Sequence, residues 1–553
     1  MASARPRAPR VSDLASTSDD HVEAAWFLTS AERGNNATGL DRRNGVSWSV
    51  GNDVRVLVHG ANYFAALLSC TQNLGPGDTL YFTDWRGDPD EAVDADGVTI
   101  SSVLAGAASR GATVNGLVWR SHWDRLAFSA AQNRRLGADI EAAGGCCLLD
   151  MRVRIGGSHH QKFVVLRHLD PRKIVDDVAF VGGIDLCHSR RDDADHAGDP
   201  QSQPMAPPYG DRPPWHDVQV AIRGPAVGAV EYVFRERWTD PQPLSRAPWR
   251  RIADRIRCEQ VTARPLPTQH ADPPAVGTHA VQILRTYPKR RHGYPFAPSG
   301  ERSIARAYEK ALRQARALIY VEDQYLWSGD VVAPFAAALR DNPLLRMIAV
   351  LPMYADQDGR ISGPPNEIGR LDALQLLRNA GGDRVAVYGL ENSSGTPVYV
   401  HAKVCVIDDV WASVGSDNLN RRSWSHDSEL SCAVLDQERD SRPPLDPAGL
   451  GDGARVFARQ LRLDLAREHL GRDDHDDSDL IDPVQFFEIM ATAADRLDAW
   501  HHNGARGDRP AGQLRRRPEV KLGRATRLFA RPLYRVIYDP DGRPLRLRRA
   551  RGF

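Results

Sequence analysis

YVHAKVCVIDDVWASVGSDNLNRRSWSHDSELSCA, Tyr399 to Ala433, places a histidine, a lysine and several acids around two apolar runs. His401 and Lys403 are two residues apart, so on a strand from Val398 to Ile407 they share one face. A second apolar run, Val410 to Val414, delivers Gly415, Ser416 and Asn418 into a turn. Imidazole, ammonium and carboxamide together suit a phosphate oxyanion: one nucleophile, one fixed charge and one neutral donor. The spacing H-x-K-x4-D-x6-G-S-x-N runs through His401, Lys403, Asp408, Gly415, Ser416 and Asn418.

The pattern occurs twice. HHQKFVVL holds His160 and Lys162 at the same spacing, and AFVGGIDL supplies Gly182, Gly183 and Asp185 where the later copy has Gly415, Ser416 and Asn418. Arg167 stands where the later copy has Asp408. Each copy is followed by an acid that opens an apolar run, Asp217 before Val218 to Ile222 and Glu429 before Leu430 to Leu435. Such an acid can accept the Nδ1 proton of the imidazole in its own half and leave Nε2 free for chemistry.

The doubled H-x-K pattern resembles the phospholipase D superfamily, whose members build one active centre from two copies meeting at a pseudo-twofold. PWHD at 214–217, AFVGGIDL at 179–186 and IYVEDQYLW at 319–327 resemble its eukaryotic-type branch in particular, over Val54 to Gly471, without accessory lipid-binding modules. The resemblance implies attack on phosphorus by His160, a phosphohistidine, and proton donation to the departing alcohol by His401, with Glu429 orienting His401. Lys162 and Lys403 would neutralise the phosphate, and Asn418, Ser416, Gly183 and Asp185 would line the substrate, with Asp408 supporting. The reaction implied is hydrolysis of glycerophospholipids to phosphatidic acid, or transfer to a second alcohol. The competing readings are a cardiolipin-synthase-like phosphatidyltransferase, a nuclease of the superfamily and a catalytically silent membrane-binding relative, for which Arg167 is the argument.

Hydrophobic periodicity supports the same organisation. Helical patterns at 62–74 and 102–110 alternate with strand patterns at 78–84 and 113–119, and the order recurs at 303–315, 318–322, 331–340 and 345–351. Approach strands are expected at Met151–Ile155 and Arg384–Tyr388. The expected fold is α/β: two similar halves, each a mixed, mostly parallel sheet flanked by helices, packed about a pseudo-twofold with the active site at their interface. The expected division is an irregular lead over 1–46, a first half over 47–240, a linker over 241–279, a second half over 280–471 and an extension over 472–553.

The net charge of +1 over 553 residues hides a basic end, with 13 Lys and Arg against 3 Asp and Glu from Arg515 to Phe553. That tail is expected to meet a phospholipid surface transiently. It lacks the interleaved stacking aromatics of a nucleic-acid groove, so no nucleic acid is expected. Seven cysteines without CxxC or Cys/His spacing argue against a disulfide framework or zinc site, and no metal or cofactor is expected. No signal-like h-region and no run of about 18 apolar residues occurs, so a monomer in the cytoplasm, peripheral at membranes, is expected, with export lacking a cleaved signal left open.

Overall fold

The computed structural model describes residues 22–42, 46–121, 130–356, 363–474, 476–518, 520–550 and 552–553. The first half comprises β1 (Ser49–Val58), α1 (Gly60–Thr71), β2 (Thr79–Asp84), α2 (Ile100–Ser109), β3 (Thr113–Trp119), α3 (Ala131–Ala142), β4 (Cys146–Asp150), β5 (Phe163–Arg167), β6 (Val178–Gly182), β7 (Val218–Arg223) and α4 (Ala226–Trp238). The second half repeats that order as β8 (His279–Tyr287), α5 (Ser303–Gln314), β9 (Leu318–Asp323), α6 (Gly329–Asp341), β10 (Arg346–Val350), α7 (Gly363–Gly381), β11 (Val385–Glu391), β12 (Lys403–Ile407), β13 (Trp411–Gly415), β14 (Glu429–Asp436) and α8 (Val456–Leu470). Three further α-helices follow among the described residues, α9 (Pro483–His502), α10 (Arg524–Leu533) and α11 (Leu545–Ala550).

The sheets have one topology. Strand order is β4-β3-β2-β5-β6-β7-β1 in the first and β11-β10-β9-β12-β13-β14-β8 in the second. Among the strands of these two orders, β2-β3-β4 and β9-β10-β11 are paired in parallel and the rest antiparallel, while Trp215–His216 pairs in parallel with Tyr399–Val400 across the halves. Helical crossovers demand parallel strands there, whereas short links such as Asp408–Val410 between β12 and β13 demand antiparallel ones. The strands mostly run one way, yet their hydrogen bonding is more antiparallel than the βαβ rhythm implies. The edges join where β1 leaves its own sheet, with Ser49 opposite Val281 and Asn52 opposite His279.

Three apolar layers result. The inner one packs Tyr81 and Leu117 of the first sheet and Tyr320, Val404 and Val406 of the second around Phe234 of α4 and Leu461 of α8. The outer layers bury Phe64, Leu104 and Ile140 of α1–α3 on one side and Tyr308, Phe335 and Leu377 of α5–α7 on the other. Each such side chain contributes about 1.5–3 kcal/mol, which ties both sheets to one shared core.

Three expectations change, and the structure adds the path of the basic end. Met151–Ile155 is a loop, because Arg152 N donates to Asp150 Oδ1 at 2.7 Å and turns the chain at the end of β4. The strand expected over Val398 to Ile407 is broken: Pro397–Val400 pairs with β11, and the ladder resumes at Lys403. The described part of the lead is fastened to the second half. Arg33 is fully buried between Asp41 and Glu301, and Trp26 and Phe27 sit in the outer layer of that half. The basic end is folded, with Leu514–Arg516 pairing with β11. Arg515 joins Glu391 and Asp498, Arg517 joins Glu367, Arg531 joins Asp372 and Arg543 joins Asp330. Among the described residues no helix is long and apolar enough to cross a membrane.

Candidate active site

His160 precedes β5 and His401 precedes β12, at the end of each sheet where the parallel strands finish. Each imidazole is held by an acid from the other half. His160 Nδ1 lies 2.9 Å from Glu429 Oε2, and His401 Nδ1 lies 2.7 Å from Asp217 Oδ2. The sequence pattern assigned each acid to its own half, and the structure overturns that pairing. Within a sheet the motif strand and the acid's strand are separated by a third, β6 or β13, which puts them about 10 Å apart. Across the interface the opposite acid is in reach.

The neighbours of the acids differ between halves. Ser416 Oγ donates to Glu429 Oε2 at 2.6 Å and accepts from Leu430 N, so it serves the acid. At the equivalent Gly183 a Cβ would stand 2.2 Å from Asp217 Oδ1; the glycine leaves room for the carboxylate. Both residues thus serve the orienting acids. Asn418 is buried with its Oδ1 unpartnered, free to meet a ligand.

Lys162 Nζ lies 3.1 Å from the His160 carbonyl and 3.4 Å from Asp185 Oδ1. Asp185 also lies 3.4 Å from Arg190, so it is a counter-ion to both cations. Burial opposes its ionisation, but Lys162 and Arg190 outweigh burial and hold it well below the usual carboxylate range. Burial and Asp185 push the neighbouring Asp84 well up. Lys403 donates to the His401 carbonyl and approaches Gln324. Burial, reinforced by Lys162, brings the Lys403 ammonium down to about 8. Burial, then Lys403 and Arg190, hold His401 well below its ordinary value, and burial raises Asp217.

Two indoles flank the histidines. Trp85 meets His160 edge-on with centroids 6.1 Å apart, and Trp215 lies 4.9 Å from His401 with Arg190 over its other neighbourhood at 3.9 Å. Arg190, Trp85 and Gln324 escaped the sequence reading, since they lie outside both motifs. Equivalent strand ends, Asp84 and Asp323, accept from the amides of Leu186 and Leu419 and fix the two turns that follow Gly183 and Ser416. His159, beside His160, is fully buried against Gln161.

Arg167 and Asp408 lie at the far ends of β5 and β12 from the histidines. Asp408 gathers the amides of Arg316, Ala317 and Leu318, and burial pushes it up to about 6. Arg167 is buried between Asp177 and Glu231 at 2.7 and 2.5 Å. Both residues hold the fold, and the departure at Arg167 leaves the catalytic end unaltered.

Behind Asp217 the fold gathers donors that could hold a metal: His59, His196, His216 and Glu468. The sequence expectation of no metal cage rested on local spacing, and these four come from separate segments. Their protons already link them. His216 lies 2.7 Å from Glu322 through Nε2 and 3.3 Å from Glu468 through Nδ1. Burial opposes its charge, but the two carboxylates outweigh it and lift His216 to about 10. His469 completes the network on Glu322 at 2.7 Å.

A family model described as "Phospholipase D" matches residues 145–331, and one described as "Cardiolipin synthase, PLD-like domain" matches 362–441. Phospholipase D alpha 1 of Arabidopsis thaliana is 25% identical over 520 residues, covering 71% of this chain and 62% of its own. Phospholipase D1 of Homo sapiens is 27% identical over 329 residues, covering 52% of this chain and 30% of its own. The chain thus spans less than two thirds of each of these relatives' length. Among solved structures, phosphatidylserine synthase of Haemophilus influenzae Rd KW20 aligns with a TM-score of 0.48 at 14% identity, over 69% of this chain and 82% of that one. With two family matches that contain the two H-x-K motifs and two halves of one topology, the chain belongs to the phospholipase D superfamily.

Proposed function

We propose that the chain is a phospholipase D that hydrolyses glycerophospholipids such as phosphatidylcholine to phosphatidic acid and the free head-group alcohol. The observation that carries this reading is the crosswise pair of acid-held histidines with a lysine beside each. A phosphodiester anion repels nucleophiles, and Lys162 and Lys403 cancel that charge before bond formation. His160 Nε2 attacks phosphorus, the head-group oxygen leaves with the proton of His401 Nε2, and a phosphatidyl-histidine remains. His401, oriented through Nδ1 by Asp217, then takes a proton from water or another alcohol, which displaces His160.

Buried beside Lys403 and Arg190, the free His401 is neutral. The incoming phosphate offsets those cations and favours the imidazolium that the leaving group needs. The same observation favours a second assignment, in which neutral His401 attacks and His160 donates. Trapping the intermediate at low pH and mapping it by mass spectrometry decides: phosphate on His160 supports the first assignment, and phosphate on His401 replaces it with the second.

The activity is tested by product analysis after incubation with mixed phospholipid vesicles and ethanol. Phosphatidic acid with phosphatidylethanol is expected. Cardiolipin as the main product would favour a phosphatidyltransferase, the reading prompted by the match at 362–441. No product from any lipid would overturn the enzymatic reading.

A further inference from the structure

Two segments outside the catalytic machinery turn apolar faces to solvent. In the linker helix, Pro248–Ile256, the residues Trp249, Ile252 and Ile256 are three and four apart on one exposed face, while Arg250 and Asp254 are buried on the opposite one. Trp249 is 71% exposed. In α10 and the turn of helix after it, Leu528, Phe529, Val536 and Ile537 are exposed, with Leu528 at 79%, while Ala530 and Tyr534 pack inward on Trp327 and Ile368. A water-facing side chain of this size gains nothing from exposure, and contiguous apolar stripes on otherwise folded helices mark interaction surfaces.

Both segments hang from the wall of the active site. Arg120 follows Trp119, which stacks on Trp85 beside His160, and Arg120 Nη1 lies 2.5 Å from Asp254 of the linker helix. On the other side one guanidinium, that of Arg422, donates to the carbonyls of Ile537 and Gly156, both at 2.9 Å. Ile155, 94% exposed, precedes Gly156 on the loop that leads to His160, and that loop is thereby tied to the segment of Ile537.

Cations flank the stripes. Arg251 and Arg255 flank the first, and Arg524, Arg527 and Arg535 flank the second, all exposed and without an acidic partner among the described residues. A cavity of about 220 Å³ beneath α10 is lined by Arg527 and Lys521 together with Arg378, Asp372 and Arg517, the last paired with Glu367. Apolar side chains ringed by unpaired arginines fit an anionic lipid interface, which takes the side chains at its acyl boundary and the arginines at its head groups.

We propose that the linker helix and α10, with Ile155 between them, form a two-footed seat on anionic membranes that holds the mouth of the active site against the lipid. The proposal rests on the phospholipid reading of the site and adds where the surface is gripped. It differs from a merely basic tail, because most of the tail's other arginines are spent on internal ion pairs.

The test compares the full chain with L528S/F529S and W249S/I252S. Sedimentation with vesicles of phosphatidylcholine and phosphatidic acid measures binding, and turnover of a short-chain phosphatidylcholine below its micellar concentration measures chemistry. Each double variant is expected to bind vesicles roughly tenfold or more weakly, to process the soluble lipid at the wild-type rate, and to keep its circular dichroism. Unchanged vesicle binding in both variants would overturn the seat. A wild-type dimer that both variants dissolve would also overturn it, giving these faces to a second copy. Loss of soluble-lipid turnover by the wild type itself would instead remove the phospholipid reading on which the seat rests.

Discussion

The most consequential residues are Asp217 and Glu429, which serve histidines in the opposite half. Glu429→Gln is expected to slow the step in which His160 attacks, and Asp217→Asn the step that needs the His401 proton, each by roughly 10²- to 10⁴-fold. Rapid-quench measurement of phosphohistidine formation and decay checks this, and the opposite partition would exchange the two roles. Lys403, brought down to about 8 by burial, loses its charge as pH rises through that value. Activity should therefore fall on the alkaline side near pH 8, and Lys403→Arg should move that limb upward, as pH profiles of kcat/KM would show. The motif residues were legible because their spacing is local. Their partners were not: the acids were found, but the choice between own and opposite half depends on a strand separation that no spacing in the chain expresses. The same holds for His59, His196, His216 and Glu468, brought together from four segments.

Among elements, the repeated crossover helices and parallel strands were legible from periodicity, since each carries a strong apolar face. The edge strands β1 and β8 and the helices α3 and α7 were missed, being weakly patterned. The lead shows what composition conceals. Its Arg33 meets Glu301, which Arg285 also contacts at 2.7 Å. Burial opposes ionisation of Glu301, but Arg285 and Arg33 outweigh it and hold the carboxyl at about 2. A depressed carboxylate stabilises the fold above its unfolded value and loses that contribution as pH falls from about 4.5 toward 2. The contribution is on the order of 3 kcal/mol. Glu301→Gln should lower the melting temperature at neutral pH and flatten its decline over that acid range, as thermal scans across pH would reveal.

For the whole molecule, the duplicated topology was legible from two motifs 241 residues apart. The shared core between the sheets was not, because it depends on α4 and α8 packing between them. That core is the larger source of stability, while the catalytic bonds at its rim are few. Mild denaturant is expected to abolish turnover while far-ultraviolet ellipticity and the fluorescence of Trp238, buried in the inner layer on α4, stay native. Coincident loss of both signals would show that the halves separate only by unfolding.

The crossing of the two acids turns the seam between the sheets into a fuse. A relative slip of about an ångström lengthens both histidine hydrogen bonds at once beyond their useful range, while the apolar layers absorb it with little change. A seam that loosened would cost the site both bonds together while the apolar layers held, so activity is expected to be the first property lost and the first regained.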